Sequence, residues 1–194
     1  MSSAFSVSAV RGQTGGGRDG REPTGPRLVC PGMNAIERWS GWLSRPQAEG
    51  PAAILILRLM AGGVFLSEGI LKFLYANQGV GRFTKLGFPV PGSTATFVAI
   101  FEIGGGLLLI AGLATRFIAL AFVLEMIVAI LTTKVSLFLG TSPLAPPPAP
   151  PTVGFWAVMH ESRSDYAQLM TCLFLALVGP GIWSLDARRA GRRE

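Results

Sequence analysis

The chain has 194 residues, of which 49% are hydrophobic and only 14% are charged, whereas a typical soluble domain has about 25% charged residues. Its mean hydropathy is +0.47, and residues 94–131 contain only three charged side chains, too few for a surface that faces water. Most of the chain is therefore not a soluble globular protein, and lipid is its expected solvent.

The net charge of +6 comes from arginines near the two ends of the chain, not from a folded basic face, so we expect no nucleic-acid partner. The single histidine, His160, cannot supply a pair of haem ligands or a histidine-rich metal site. Cys30 and Cys172 form no C-x-x-C motif, and Cys172 lies in an apolar run as an inert packing residue. We expect no metal, and any haem would need a partner chain.

The N-terminal region divides into two segments. Residues 1–32 are rich in Gly, Ser, Arg and Pro and lack the apolar core of a secretory signal, which predicts a disordered cytoplasmic tail. A start codon placed upstream of a true start at Met33 would explain this tail equally well. Residues 33–46 alternate apolar and charged side chains at helical spacing and carry Trp39 and Trp42, which predicts a short amphipathic helix in the membrane interface.

Apolar runs predict four membrane spans. A polar loop with Gly and Pro separates the first two runs, and the turn at residues 114–116 is so short that it makes the second and third spans antiparallel. The three glycines at 104–106 are expected to permit close helix packing. Six prolines within residues 140–152 predict a stiff, extended loop before the last span. The predicted spans are residues 52–76, 94–113, 116–139 and 166–183.

The arginines predict the orientation of these spans. Six precede the first span, four follow the fourth in a basic tail over residues 188–194, and Arg116 lies in the hairpin between the second and third. Because positive residues concentrate on the cytoplasmic side, both termini are expected there. The sequence thus predicts an all-α membrane protein, an antiparallel bundle of four transmembrane helices with a short N-terminal interfacial amphipathic helix.

Three ionisable residues lie deep within the predicted spans. Each costs about 2.5–3.5 kcal/mol in lipid, so Arg58, Glu102 and Glu125 must face the interior or pair. Arg58 lies roughly 9 Å from the inner end of its span and the carboxylates roughly 14–17 Å from theirs, and an upward-extending arginine could reach them. We expect these three to form an intramembrane polar cluster. One reading is a buried ion pair that fixes helix register; the other follows from the surplus carboxylate, which must be protonated or bound to a ligand.

A second group lies nearer the outer surface. Glu68 and Lys72 are four residues apart on one helix, Lys134 lies near the end of the third span, and His160 and Asp165 come from the last loop. They form an expected outer-side polar cluster. The alternative is that both lysines reach the lipid headgroups and that His160 is an ordinary loop residue. No phosphate-binding loop, hydrolase or metalloprotease motif is present, so no catalytic residue is assigned.

Several short motifs, in order along residues 52–187, resemble those of the DoxX family of small bacterial membrane proteins. Each motif is weakly specific, whereas their order along four apolar runs is more so. The N-terminal tail and the proline run depart from the family pattern. The motifs are Arg58 with Phe65, Gly69 and Lys72; Gly87-Phe88-Pro89; Glu102; Gly112-Leu113-Ala114-Thr115-Arg116; Asp165-Tyr166; Gly179-Pro180-Gly181; and Ser184-Leu185-Asp186.

The resemblance implies a function that composition does not. Founding members of the family are subunits of a membrane complex that oxidises reduced sulfur with quinone as acceptor, while many others have no assigned activity. We therefore expect a protein of the bacterial plasma membrane that is not catalytic alone, an accessory or quinone-contacting subunit with redox partner subunits. The alternative is a small-molecule binding or transport protein, or an assembly factor, that uses the same interior without redox chemistry.

Overall fold

The computed structural model describes residues 50–191, which fold into seven helices and no strand. The predicted tail over residues 1–32, the predicted interfacial helix over 33–46 and the last three residues of the basic tail lie outside the described residues. The helices are α1 (Ile54–Leu74), α2 (Val80–Lys85), α3 (Pro91–Ala111), α4 (Thr115–Leu139), α5 (Phe155–Glu161), α6 (Arg163–Val178) and α7 (Leu185–Ala190).

Within residues 50–191, three helices are long and apolar enough to cross a membrane: α1 and α3 with 21 residues each, and α4 with 25. They correspond to the first three predicted spans. The fourth predicted span maps onto α6, which has 16 residues, fewer than the roughly 20 that a crossing needs. It ends at Val178 because Gly179 has a φ of +100° and Pro180 follows it. The structure therefore supports three candidate spans, and the fourth crossing stays a prediction.

The long helices pack in two antiparallel pairs, α1 with α3 and α4 with α6, and α1 also contacts α6. The turn between α3 and α4 is tight, as predicted: Gly112 and Ala114 have φ values of +69° and +51°, and the Leu113 amide donates to the Leu108 carbonyl at 2.9 Å. We call the end of the bundle with this turn the hairpin end, and the opposite end, with α2 and residues 140–154, the loop end.

Glycines allow α1 and α3 to touch along their backbones. A Cβ atom on Gly62 would lie 2.7 Å from the Gly106 carbonyl oxygen, and one on Gly106 would lie 2.7 Å from the Gly62 carbonyl oxygen. Gly69 is equally close to Ala99, 2.8 Å from its carbonyl oxygen. Because these positions carry glycine or alanine, the two helices meet through direct backbone contact, not through large side chains, as in many membrane helix pairs.

A small aromatic core fills the space next to this contact. The rings of Phe65 and Phe122 stack with their centroids 3.7 Å apart, and Phe101 meets Phe122 edge-on at 5.1 Å. Gly105 makes room for this group, since a Cβ there would lie 2.6 Å from the Phe122 ring. Of the three glycines predicted to aid packing, Gly105 and Gly106 do so, while Gly104 faces open space.

Candidate functional site

A buried ion pair joins α1 to α3 towards the loop end. Lys72 Nζ lies 2.6 Å from Glu102 Oε2, and the two side chains are 12% and 4% exposed. Gly69 lies one turn before Lys72, and a Cβ atom at this position would lie 3.0 Å from the Glu102 Cβ. Because glycine has no side chain, the α1 backbone can approach Glu102 closely here. The pair is thus held where the two helices are closest.

The direction of helical side chains explains why this lysine reaches the carboxylate. Cα–Cβ bonds tilt towards the N-terminus of a helix, so Lys72 on α1 leans towards the middle of the bundle. Glu102 lies on the antiparallel α3 and leans the opposite way, towards the loop end. The two side chains therefore approach each other from different levels.

Glu125 on α4 adds a second carboxyl group to the pair. It is a neighbour of Glu102 within electrostatic range, and Lys72 acts on both carboxyl groups. Its Oε2 atom is buried and has no hydrogen-bond partner among the described residues. We call Lys72, Glu102 and Glu125 the polar triad.

The helix α6 brings two further polar side chains to the same part of the interior. Cys172 is fully buried as a free thiol and lies within electrostatic range of Glu125. One turn away, Gln168 is 7% exposed, and its Oε1 atom is buried without a hydrogen-bond partner in the described part of the chain. The sequence analysis overlooked Gln168, although a lone amide within an apolar run was a signal that could have identified it.

An open groove lies beside the triad at the loop end. Its volume is about 320 Å³, and Lys72 is the charged residue on its wall, so one side chain belongs to both the groove and the buried triad. The ends of α1 and α2 and the first turns of α3 form the rest of the wall. These lining residues are Phe73, Leu74, Ala76, Val80, Ala95, Thr96 and Ala99.

Arg58 does not join the carboxylates, in contrast to the sequence expectation. Its guanidinium donates to four backbone carbonyls: Leu109 at 2.9 Å, Ile110 at 2.5 Å, Pro180 at 3.2 Å and Trp183 at 2.7 Å. The expectation had the side chain extending towards mid-membrane, whereas a side chain on α1 leans towards the N-terminus, which is the hairpin end. There it meets the last turn of α3, whose carbonyls have no partner within the helix.

The hairpin end holds two further polar contacts. Asp186 accepts from the amides of Ala114 and Thr115, both at 3.0 Å, and so caps the start of α4 from a distant part of the chain. Arg116, only 3% exposed, donates to the carbonyls of Leu177 and Val178 at the end of α6, both at 3.4 Å. Two buried arginines thus donate hydrogen bonds to the backbone carbonyls at the C-terminal ends of α3 and α6.

The expected outer-side polar cluster divides into separate parts. Lys134 pairs with Asp165 at 3.1 Å and donates to the Glu161 carbonyl at 2.9 Å, which fastens the junction of α5 and α6 onto α4. The His160 ring lies 3.4 Å from the Arg163 guanidinium at the protein surface. Lys72 belongs to the triad instead, and Glu68 is exposed on α1, near enough to Glu102 to act on it electrostatically.

The chemistry available in the triad is proton and hydrogen-bond chemistry. Lys72 can donate to a ligand in the groove, and the two carboxyl groups can hold or release protons behind it. Among residues 50–191 no group of His, Cys, Asp and Glu side chains could hold a metal ion.

Comparison with known proteins gives two relatives. The chain is 40% identical over 157 residues to the uncharacterized membrane protein Rv3486 of Mycobacterium tuberculosis, covering 78% of this chain and 90% of that protein. It is 32% identical over 132 residues to a Bacillus subtilis protein named "Putative oxidoreductase CatD", covering 68% of this chain and 83% of that protein. No solved structure matches the chain significantly.

The sequence model of the DoxX family matches residues 53–135, which contain α1, α2, α3 and most of α4. All three members of the triad lie within this matched region. The similarity to Rv3486 extends well beyond it, over most of both chains. Together with the apolar helices, these matches establish that the chain is a membrane protein that belongs to the DoxX family.

Proposed function

We propose that the chain is a quinone-contacting subunit of a membrane oxidoreductase complex and is not catalytic by itself. The observation that carries this proposal is the position of Lys72, which lines the groove while its Nζ atom is held 2.6 Å from Glu102. A cation at the boundary between an open groove and buried carboxyl groups is suited to a ligand that accepts a hydrogen bond and exchanges protons.

A quinone fits the shape and polarity of this groove. Its volume of about 320 Å³ is at the lower end of the range for small-molecule sites, which suits a head group rather than a whole lipid-like molecule. One quinone carbonyl would accept from Lys72. The exposed side chains of Phe73, Leu74 and Val80, on the open side of the groove, would lie along the apolar tail.

The proposal assigns electron transfer to other subunits. Reduction of a quinone consumes two electrons and two protons; redox centres of partner subunits would supply the electrons, and this chain would hold the head group beside a source of protons. The printed name of a relative that is 32% identical to this chain, "Putative oxidoreductase CatD", supports a redox setting.

We also propose that α5 and α6 together make a fourth membrane crossing, in a bacterial plasma membrane, with both termini in the cytoplasm. Only Ser162 separates the two helices, and residues 155–178 together are long enough to cross. The outer face of α6 carries exposed apolar side chains that suit lipid. These are Met170, Leu173, Phe174 and Leu177. The arginines of the hairpin end, Arg116, Arg188 and Arg189, favour the cytoplasmic side for that end.

Quinone binding by purified protein tests the proposal. The protein is purified in detergent and titrated with a short-chain benzoquinone and, separately, a short-chain naphthoquinone, with binding followed by tryptophan fluorescence. We expect saturable binding of at least one, weakened about tenfold or more in Lys72→Gln, because the variant loses the charged donor at the groove.

Lys134→Gln is the matched control, since Lys134 is buried to the same degree (13% exposed) and also forms an ion pair, but with Asp165 and away from the groove. Its affinity should equal that of the unmodified chain. If neither quinone binds, or if the two variants lose affinity equally, Lys72 does not mark a quinone site.

A further inference from the structure

We infer that Glu102 and Glu125 form a buried site that binds one proton, shared between their two carboxyl groups. The inference concerns the interior of the bundle and does not depend on which ligand occupies the groove. It rests on the contacts of the triad and on the number of charges that the surrounding helices supply.

The proximity of the two carboxyl groups favours a shared proton. Ionised carboxylates are acceptors only, so two of them cannot hydrogen-bond to each other unless one carries a hydrogen. Glu102 and Glu125 act on each other within the bundle, where two adjacent negative charges repel strongly, and Glu125 Oε2 is buried with no partner among the described residues. One proton between them satisfies both conditions.

Charge counting gives the same number. Glu102 is 3% exposed, and Lys72 is its single ion-pair partner within the described residues. One ammonium group balances one carboxylate, so the second carboxyl group needs a proton to avoid an unpaired buried charge. With one proton, the triad is electrically neutral.

The groups packed around the site leave this count unchanged. From α1, Glu68 acts on Glu102, but it is another carboxylate and supplies no positive charge. From α6, Cys172 and Gln168 face the same interior, and neither is cationic. Three other positive side chains lie on α1, α3 and α4, and each has partners elsewhere among the described residues. Arg58 and Arg116 donate to backbone carbonyls, and Lys134 pairs with Asp165.

Gln168 supplies an independent observation. Its buried Oε1 atom has no donor among the described residues, and the same is true of Glu125 Oε2. Glu125 lies ten residues beyond the start of α4 and Gln168 ten residues before the end of α6, so both are roughly 15 Å from the hairpin end on helices that pack together. Within the described residues this layer therefore has buried acceptor oxygens with no hydrogen-bond donor, so an ionised Glu125 carboxylate would stay unsatisfied there, whereas a protonated one removes the charge.

Infrared spectroscopy detects the proton directly, since an un-ionised carboxylic acid has a carbonyl stretching band that a carboxylate lacks. The full chain is reconstituted in lipid at neutral pH and measured in H2O and in D2O, where the band shifts. All measurements use a Glu68→Gln background, which removes the other carboxyl group of the three long apolar helices α1, α3 and α4. We expect one band, with the intensity of a single carboxylic acid.

Three variants in this background fix the assignment. Glu102→Gln and Glu125→Gln should each abolish the band, because the carboxyl group that remains ionises to balance Lys72. Lys72→Gln should about double it, because both carboxyl groups then need a proton. Glu161→Gln, at the junction of α5 and α6, should leave the band unchanged.

The absence of any such band from the background protein would overturn the inference, and this result needs no further variant to fold. Retention of the band in either glutamate variant would also overturn it, provided that the variant elutes as folded protein in detergent. A band that is present and follows the expected pattern, together with failure of both quinones to bind, would support the proton site and refute the quinone proposal alone.

Discussion

Arg58 shows how a guanidinium can be fully buried in an apolar bundle without a salt-bridged carboxylate among the described residues, although Asp186 acts on it electrostatically. Its four carbonyl acceptors come from the last turn of α3 and from the segment after α6, where the helices end. The Leu109 carbonyl also accepts from the Gly112 amide at 3.1 Å, but the other three would otherwise lack a donor, which is costly in lipid. The residue thus closes the hairpin end of the bundle.

Replacement of this arginine should therefore affect stability more than any surface change. Arg58→Met keeps an unbranched apolar stem but leaves the carbonyls of Ile110, Pro180 and Trp183 without donors, while the Leu109 carbonyl still accepts from the Gly112 amide. We expect a loss of about 3 kcal/mol in the free energy of unfolding. The measurement is helical circular dichroism during SDS denaturation in mixed micelles.

Arg189→Met is the control, since Arg189 is exposed on α7 and should change stability by less than about 0.5 kcal/mol. Equal stability of the two variants would show that the four carbonyl contacts contribute little. Binding of quinone should survive in any Arg58 variant that folds, because Arg58 does not line the groove.

At this scale the sequence predicted which residues are buried better than it predicted their partners. Arg58 and Glu102 are buried and Glu125 is half-buried with its Oε2 atom inside, in keeping with the cost of charge in lipid. The partner of the carboxylates is Lys72, which was assigned to the outer group. Counting residues along a helix gives the position of each Cα atom along the helix axis. The charged end of a long side chain lies several ångströms away, displaced towards the N-terminus of the helix, so its partner was not predicted.

Among the helices, the contact between α1 and α3 places Lys72 against Glu102. Gly62 and Gly106 meet near the middle of the contact, and Gly69 meets Ala99 one level closer to the loop end. Any side chain at these positions would push the helices apart and move the ion pair.

Adjacent glycines on α1 provide a test of this contact. Gly62→Ala places a Cβ atom 2.7 Å from the Gly106 carbonyl oxygen, so the helices must separate; we expect a loss of about 1–3 kcal/mol in the free energy of unfolding. Gly63→Ala meets no atom within 4 Å, and a gain of up to about 1 kcal/mol is expected from the better helix former. SDS denaturation followed by circular dichroism compares the two.

A small effect in both variants would mean that α1 and α3 are not in backbone contact in the folded protein. The corresponding pair on α3 repeats the test, because Gly106 is in contact and Gly104 faces open space. Each pair compares the same Gly→Ala substitution at two positions of one helix, so the gain in helix propensity is the same in both variants. If both pairs show the same difference, helix propensity does not explain it.

Helix bounds were largely predictable. The first three spans were expected at 52–76, 94–113 and 116–139, and the helices run Ile54–Leu74, Pro91–Ala111 and Thr115–Leu139. Long apolar runs with glycine at their ends carry this information. Two kinds of detail were not predicted: the short helices α2, α5 and α7, in segments not expected to be helical, and the early end of α6, where the apolar run continues beyond the helix to Trp183.

For the whole molecule, the proposed arrangement depends on whether α5 and α6 cross the membrane. If they do, the N-terminus, the α3–α4 turn and the C-terminus share one side, and residues 140–154 lie on the other. The contacts of Lys134 with Asp165 and with the Glu161 carbonyl would then hold the first half of the fourth crossing against α4.

A series of reporter fusions tests this topology. Green fluorescent protein, which fluoresces only in the cytoplasm, should be bright when fused before Met1, after Gly112 and after Glu194, while alkaline phosphatase should be active after Ala145. Brightness after Gly112 with a dark fusion after Glu194 would place the last helices on the far side and refute the fourth crossing.

The contacts of Arg58 also have a consequence for how the protein is made. Its first two acceptors, on α3, are synthesised about 50 residues later, but Trp183 follows it by 125 residues. A nascent or truncated chain that lacks the last segment therefore lacks two of the four carbonyls that accept from Arg58, those of Pro180 and Trp183. It also lacks Asp186, the cap of α4. Chains that end before residue 180 should therefore be degraded faster by membrane proteases than longer ones, because residues 180–186 supply two acceptors of Arg58 and the cap of α4.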